Sequence, residues 1–263
     1  MSEFLLVILL ALIQGLTEFL PISSSAHLVL PTLLFGTKDF GLMFDIATHA
    51  GTLIAVVFYF KTELKDILCA WLKAPNPKDD HYFLGLLLVI ATLPIIGVGF
   101  IFGDALAARN ISIEQIAWFN VIFALVLLAA YLLGKRTKEV KDLTLWQALF
   151  IGCMQAFAIF PGASRSGMAI TGALLVGMNL VTSARFAFLL AIPTILGSVI
   201  FLLIELYQYS YPYDLLVLFL GFTISGAVAF LTMQFFLQIV EKVGMIPFVA
   251  YRLILGAFLL ILV

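Results

Sequence analysis

Two charged residues, Glu18 and Arg165, stand in long apolar stretches, each beside a cluster of small hydroxyl side chains. Gln14 and Glu18 lie four apart and share one face of a helix, with Thr17 beside them. Pro21 is expected to close that helix, leaving Ser23, Ser24 and Ser25 as candidate caps of the next one and His27 in its first turn. In the second half Ser164 and Ser166 flank Arg165 at a matching interruption. A helix N-terminus offers free N–H groups and partial positive charge to phosphate, so two of them facing each other could hold a diphosphate. Hydrolysis of such a group needs positive charge on the transferring phosphoryl and a positioned nucleophile, with little other covalent chemistry. Arg165 and the helix ends could supply the first. Ser24 could attack or position the phosphorus, with His27 or Glu18 as base. Glu18 could instead hold a magnesium or calcium ion bridging the phosphates, since hard cations take carboxylate and phosphate oxygens.

Structural roles compete with each of these. A lone hydroxyl in an apolar helix is commonly bonded to its own backbone, so Thr17, Ser23, Ser25 and Ser166 carry no role singly. Ionisable residues at membrane depth cost about 2.5–3.5 kcal/mol each even on the lower scales, which points Glu18 and Arg165 toward function. The alternative is a structural ion pair between them. His49, in Thr-His-Ala-Gly-Thr (48–52), is ambiguous, and Asp45 is placed at the membrane interface. Cys69 is read in a polar loop and Cys153 in an apolar segment; they lack CxxC spacing and suggest neither a disulfide nor a metal-thiolate site.

The elements that must position these residues follow from composition. Of 263 residues 63% are hydrophobic and only 11% charged, far below the roughly one-quarter charged of soluble domains. The chain is therefore expected to be an all-α integral membrane protein forming one domain over 1–263, and its net charge of −1 argues against a nucleic-acid surface. Crossings are expected near 44–60, 82–103, 115–134, 184–204, 215–238 and 246–263. Two more apolar stretches, 3–35 and 145–178, are broken at Pro-Ile-Ser-Ser-Ser (21–25) and Pro-Gly-Ala-Ser-Arg-Ser (161–166), and read as re-entrant helical hairpins. The apolar run at 4–13 lacks a basic leader and reads as mature structure. Lys61, Lys65, Lys73 and Lys78 mark one cytoplasmic loop, and Lys135, Arg136, Lys138 and Lys141 another; the loops at 36–43, 104–114 and 205–214 should face outward. With six crossings the first hairpin then opens outward, the second toward the cytoplasm, and the two meet tip to tip. Gln14, Phe19, Ser23, Ser25 and Gly36 recur 141 residues later as Gln155, Phe160, Ser164, Ser166 and Gly177, which suggests inverted repeats over about 1–134 and 145–263. Sites in such proteins lie near the midplane, at the repeat interface.

The segments Gln-Gly-Leu-Thr-Glu-Phe-Leu-Pro-Ile-Ser-Ser-Ser-Ala-His (14–27) and Pro-Gly-Ala-Ser-Arg-Ser-Gly (161–167) resemble the signatures of BacA-type undecaprenyl-diphosphate phosphatases. The resemblance continues through 44–52 and Ile-Pro-Phe-Val-Ala-Tyr-Arg (246–252), covering nearly the whole chain. It implies a bacterial inner-membrane enzyme that removes the terminal phosphate of undecaprenyl diphosphate, a polyprenyl lipid held in the bilayer, and so recycles the carrier for peptidoglycan and other wall polymers. It also implies a link to bacitracin, which competes for that substrate, and a homodimer as a candidate assembly. Carried over, the family's glutamate-rich motif falls on Gln14 and Glu18, its serine-histidine motif on Ser23, Ser24 and His27, and its arginine motif on Ser164, Arg165 and Ser166. Two positions depart from the pattern: Gln14 replaces a glutamate found in many members, removing one potential metal-binding carboxylate, and Ala169 stands where many carry a hydroxyl. A lipid-phosphate flippase would use the same anion site and the same repeats. An ion channel or purely structural subunit leaves the Ser-His and Ser-Arg clusters unexplained.

Overall fold

The computed structural model describes residues 2–73, 75–107, 112–208 and 214–262. These form eleven α-helices, and among the described residues there is no β-strand beyond an isolated bridge between Lys138 and Met178. The helices are α1 (Glu3–Thr17), α2 (Ser24–Phe35), α3 (Gly41–Tyr59), α4 (Lys61–Trp71), α5 (Asp80–Ala107), α6 (Ile113–Leu133), α7 (Leu145–Ala156), α8 (Arg165–Leu175), α9 (Leu180–Gln208), α10 (Leu215–Val243) and α11 (Ile246–Leu262). Five spans are long and apolar enough to cross a bilayer: Gly41–Tyr59, Asp80–Phe102, Ile113–Leu133, Leu180–Ile204 and Leu215–Val243. Large apolar side chains such as Phe100, Leu133 and Ile261 lie on the outside, where lipid and not water must cover them. The chain is a multi-pass membrane protein. The stretch expected as a sixth crossing, 246–263, forms the shorter 17-residue α11, with its last residue outside the described set. The loops expected at 104–114 and 205–214 also lie in part outside the described residues.

Both expected breaks are present. Pro21 cannot continue a helix whose ring-facing carbonyl would be that of Thr17, four residues back, and α1 ends at Thr17; Pro161 excludes Phe157 in the same way, and α7 ends at Ala156. The segment expected as a polar loop at 61–81 differs from expectation. Leu64, Ile67, Leu68 and Trp71 recur at helical spacing there, and 61–71 forms the amphipathic α4, which places the exposed Cys69 on a helix.

Close helix crossings hold the bundle together. A Cβ on Gly51 would sit 2.2 Å from the Phe222 carbonyl, so α3 and α10 touch backbone to backbone, and Ser225 Oγ donates to Thr48 O (2.9 Å) across the same seam. Gly152 of α7 meets α5 in the same manner, with its would-be Cβ 2.3 Å from Ala91 O. Small residues at such crossings let dispersion and hydrogen bonding replace the hydrophobic force that lipid removes. Helix α1 packs on α10 and α7 on α5, while α3 pairs with α9 and α6 with α11.

Candidate active site

The C-terminal end of α1 carries the acid. Gln14 and Glu18 are both buried, and Gln14 Nε2 donates to Glu18 Oε2 (3.0 Å) across one helical turn. Thr17 is turned to its own backbone, donating to Ile13 O (2.7 Å), the structural role open to any helical hydroxyl. Phe19 then anchors the break, packing edge-on against Phe188 of α9 (5.3 Å).

At the start of α2, Ser23 adopts φ 74°, and at the start of α8, Ser164 adopts φ 72°. Left-handed backbone at a residue other than glycine stores strain, of order 1–3 kcal/mol, and persists only where surroundings dictate it. Each strained serine contacts the hydroxyl two residues on, Ser23 with Ser25 (3.3 Å) and Ser164 with Ser166 (3.2 Å). Ser164 Oγ also accepts from Gly167 N (3.1 Å) and caps α8, whereas Ser23 makes no side-chain cap, leaving the first N–H groups of α2 to another acceptor.

The strained turn of the first break aims Ser24 back at the acid: Ser24 Oγ donates to Glu18 Oε2 at 2.6 Å. From the second break Arg165 NH2 donates to Glu18 Oε1 at 2.7 Å, with its guanidinium 5.8 Å from the Phe19 ring centre. Arg165 NH1 is buried and has no hydrogen-bond partner, an expensive state for a charged donor and one that an anionic oxygen would relieve. His49 Nε2 lies 3.9 Å from Glu18 Oε2, which brings into the site a residue that was ambiguous in sequence. Ser166 Oγ donates to Leu20 O (2.9 Å), tying the two breaks together directly.

His27 belongs to a different sub-cluster. Its Nδ1 faces the Ser23 carbonyl (2.7 Å), which can only accept, so Nδ1 carries the proton; Nε2 then accepts from the Tyr251 hydroxyl (2.6 Å), whose ring stacks on the imidazole. His27 therefore shares the break with Ser24, but neither ring nitrogen is bonded to it.

For a cation the donor set is small. Among the described residues no three His, Cys, Asp and Glu side chains converge. Glu18 is the carboxylate on which Gln14, Ser24 and Arg165 converge, and Gln14 Oε1 beside it is a buried acceptor with no partner among the described residues. That pair suits a magnesium or calcium ion completed by water and phosphate oxygens, and does not suit an all-protein cage.

Three residues of the cluster had no role assigned from sequence: Tyr251 and Arg252 of α11, and Asn120 of α6. Arg252 and Asn120 are fully buried and bonded to each other, with Arg252 Nε donating to Asn120 Oδ1 (2.8 Å). The signal that could have found Arg252 is the one applied to Arg165, a guanidinium inside an apolar stretch.

Fold and site define a helical membrane protein with a serine, a carboxylate and an arginine gathered at two helix breaks. The family described as bacitracin resistance protein BacA matches residues 7–258, and the chain belongs to that family. It is 45% identical over 258 residues to a protein of Pseudoalteromonas translucida (strain TAC 125) named undecaprenyl-diphosphatase 1, covering 97% of each chain. It is 42% identical over 259 residues to an undecaprenyl-diphosphatase of Teredinibacter turnerae, covering 98% of each, and 44% identical over 255 residues to one of Alcanivorax borkumensis, covering 96% of each.

Proposed function

We propose that this chain hydrolyses undecaprenyl diphosphate to undecaprenyl phosphate and inorganic phosphate, the reaction for which its relatives are named. The observation that carries the reading is the Ser24 hydroxyl, 2.6 Å from the Glu18 carboxylate, whose other oxygen accepts from an arginine with a buried, unpartnered donor. Arg165 and the uncapped first turn of α2 bind the terminal phosphate, with Ser23, Ser164 and Ser166 shaping the pocket around it. Glu18 accepts the Ser24 proton as Oγ forms a bond to the terminal phosphorus and the bond to the bridging oxygen breaks, releasing undecaprenyl phosphate. Water then attacks the phosphoseryl phosphorus, the Ser24 oxygen leaves and takes its proton back from Glu18, and inorganic phosphate departs. Glu18 suits the base role better than His27, whose two nitrogens are held by Ser23 and Tyr251. Gln14 Oε1 and Glu18 would hold a magnesium or calcium ion, which when bound adds positive charge at the phosphate oxygens. No observation favours a flippase.

The same reading extends to topology. The two halves are inverted repeats, each a broken hairpin followed by three crossings, with α11 as the sixth; its 17 residues reach about 25 Å, near the lower limit for a span. Matching left-handed residues support this, Ser23 with Ser164 and Gly36 with Gly177, as does the exchange of partners by which α1 packs on α10 and α7 on α5. The lysine-rich loops support a first hairpin that opens toward the periplasm of a bacterial inner membrane, with substrate arriving from that face.

Phosphate release by the purified protein tests the reaction. Wild type should liberate phosphate from undecaprenyl diphosphate, and Ser24→Ala should lose at least about 10³-fold in kcat, the scale of removing a nucleophile. Near-normal turnover in folded Ser24→Ala would exclude the phosphoseryl route.

A further inference from the structure

Arg252 is fully buried in α11, and among the described residues no carboxylate lies within ion-pair distance of it. Its guanidinium is spent entirely on neutral oxygens from three segments: Nε donates to Asn120 Oδ1 (2.8 Å), NH2 to Gly162 O (2.7 Å) and NH1 to Pro21 O (3.4 Å). Pro21 and Gly162 are separated by 141 residues, the offset that relates the two breaks, so one guanidinium holds the equivalent carbonyl of each. These carbonyls lie within the breaks, outside any helical ladder, and at membrane depth no bulk water can satisfy them.

The surroundings leave the guanidinium no other placement. Asn120 Nδ2 donates to the Arg252 carbonyl (3.1 Å), which turns the Asn120 amide oxygen toward Nε. A Cβ on Gly167, in the first turn of α8, would come within 3.3 Å of Arg252 NH1, and one on Gly162 within 2.7 Å of Ile116 O. The second break is therefore pressed between α6 on one side and the guanidinium on the other. Arg165 and Ser24 leave the two breaks within a few residues of the carbonyls so held.

We propose that Arg252 is a positioning residue for phosphoryl transfer: by gripping Pro21 O and Gly162 O at once it sets the separation of the two breaks, and so the register of Arg165 against Glu18 and Ser24. This rests on the hydrolase reading above. A lysine keeps the charge but cannot reach three acceptors in a fixed fork. Misplacement of reacting groups by about 1 Å can cost about 10²-fold in rate, so Arg252→Lys should lower kcat by at least about 10-fold while KM for undecaprenyl diphosphate moves less than about 3-fold. Because Arg252 acts through Arg165, combining Arg252→Lys with Arg165→Lys should give a protein little slower than the worse single variant. A merely structural arginine would instead give losses that multiply.

The experiment measures kcat, KM and thermal unfolding for wild type, both single variants and the double. Normal kcat in folded Arg252→Lys, or multiplying losses, overturns the brace. If Arg252→Lys does not fold, Asn120→Ala takes its place in the same cycle, with a loss of roughly 3- to 10-fold in kcat expected as the guanidinium loses its Nε partner and the Arg252 carbonyl its donor; wild-type kcat or multiplying losses there overturns it equally. A wild-type protein that releases no phosphate would strike at the hydrolase reading itself, a distinct failure.

Discussion

The two helix breaks use the same local devices and sit in opposite surroundings. Both follow a proline and open on a left-handed serine with a second hydroxyl two residues later. Yet every residue of α8 from Ser166 to Leu174 is buried, while α2 buries only Ala26 and Leu30 and leaves Ser25 exposed. Ser164 caps its helix and Ser23 does not. The second break is thus a packed scaffold that carries an arginine, and the first is the open half, where Ser24 and the uncapped first turn of α2 are less enclosed. Similar local sequence yields a buried anchor in one place and a more open surface in the other, because packing and not the turn decides accessibility.

The comparison can be broken most sharply at Arg165, the one side chain the scaffold half contributes to the acid. Arg165→Lys should fold and lose about 10² or more in turnover, on the scale of one lost oxyanion donor. The opposing reading, a structural Arg165–Glu18 pair, has Arg165→Ala lose roughly 3–5 kcal/mol of stability and regain much of it with Glu18→Ala added. Thermal unfolding and phosphate release on the three variants separate the two, and near-normal turnover in Arg165→Lys sinks the phosphate grip.

A second test contrasts the two helices by stability alone. Met168→Ala in α8 empties a site packed beside Phe123 and Ala163 and should cost about 2–5 kcal/mol. Leu28→Ala, on the half-buried face of α2, should cost about 1 kcal/mol. Equal losses in denaturant unfolding would contradict the division into scaffold and open half.

The smallest effect is expected at Tyr251, whose hydroxyl meets His27 Nε2. Tyr251→Phe keeps the stacked ring and removes one hydrogen bond, worth about 0.5–1.5 kcal/mol, so phosphate release should fall by less than about tenfold. A larger loss would make the hydroxyl a participant in proton transfer.

Much of this was legible in the chain. Apolar length predicted the five long spans, the prolines predicted both breaks, and the cost of charge at membrane depth singled out Glu18 and Arg165. The lysines of 61–81 report topology and not local structure, so the amphipathic α4 shows only in the helical spacing of Leu64, Ile67, Leu68 and Trp71. Arg252 and Asn120 were visible as polar residues in apolar stretches, but nothing local says what they reach.

By itself the sequence determined that the chain lives in a membrane, where its helices stop and which residue types are too costly there to be idle, since hydropathy, proline geometry and charge desolvation act over a few neighbouring residues. Only the tertiary structure decided that Ser24 points to Glu18 while His27 points to Tyr251, and that Arg252 spans Pro21 and Gly162. The first of these closes across a break only six residues long and depends on the strained turn at Ser23, while the others join segments distant in the chain, where geometry is set by how closely whole helices cross, a property no local pattern encodes.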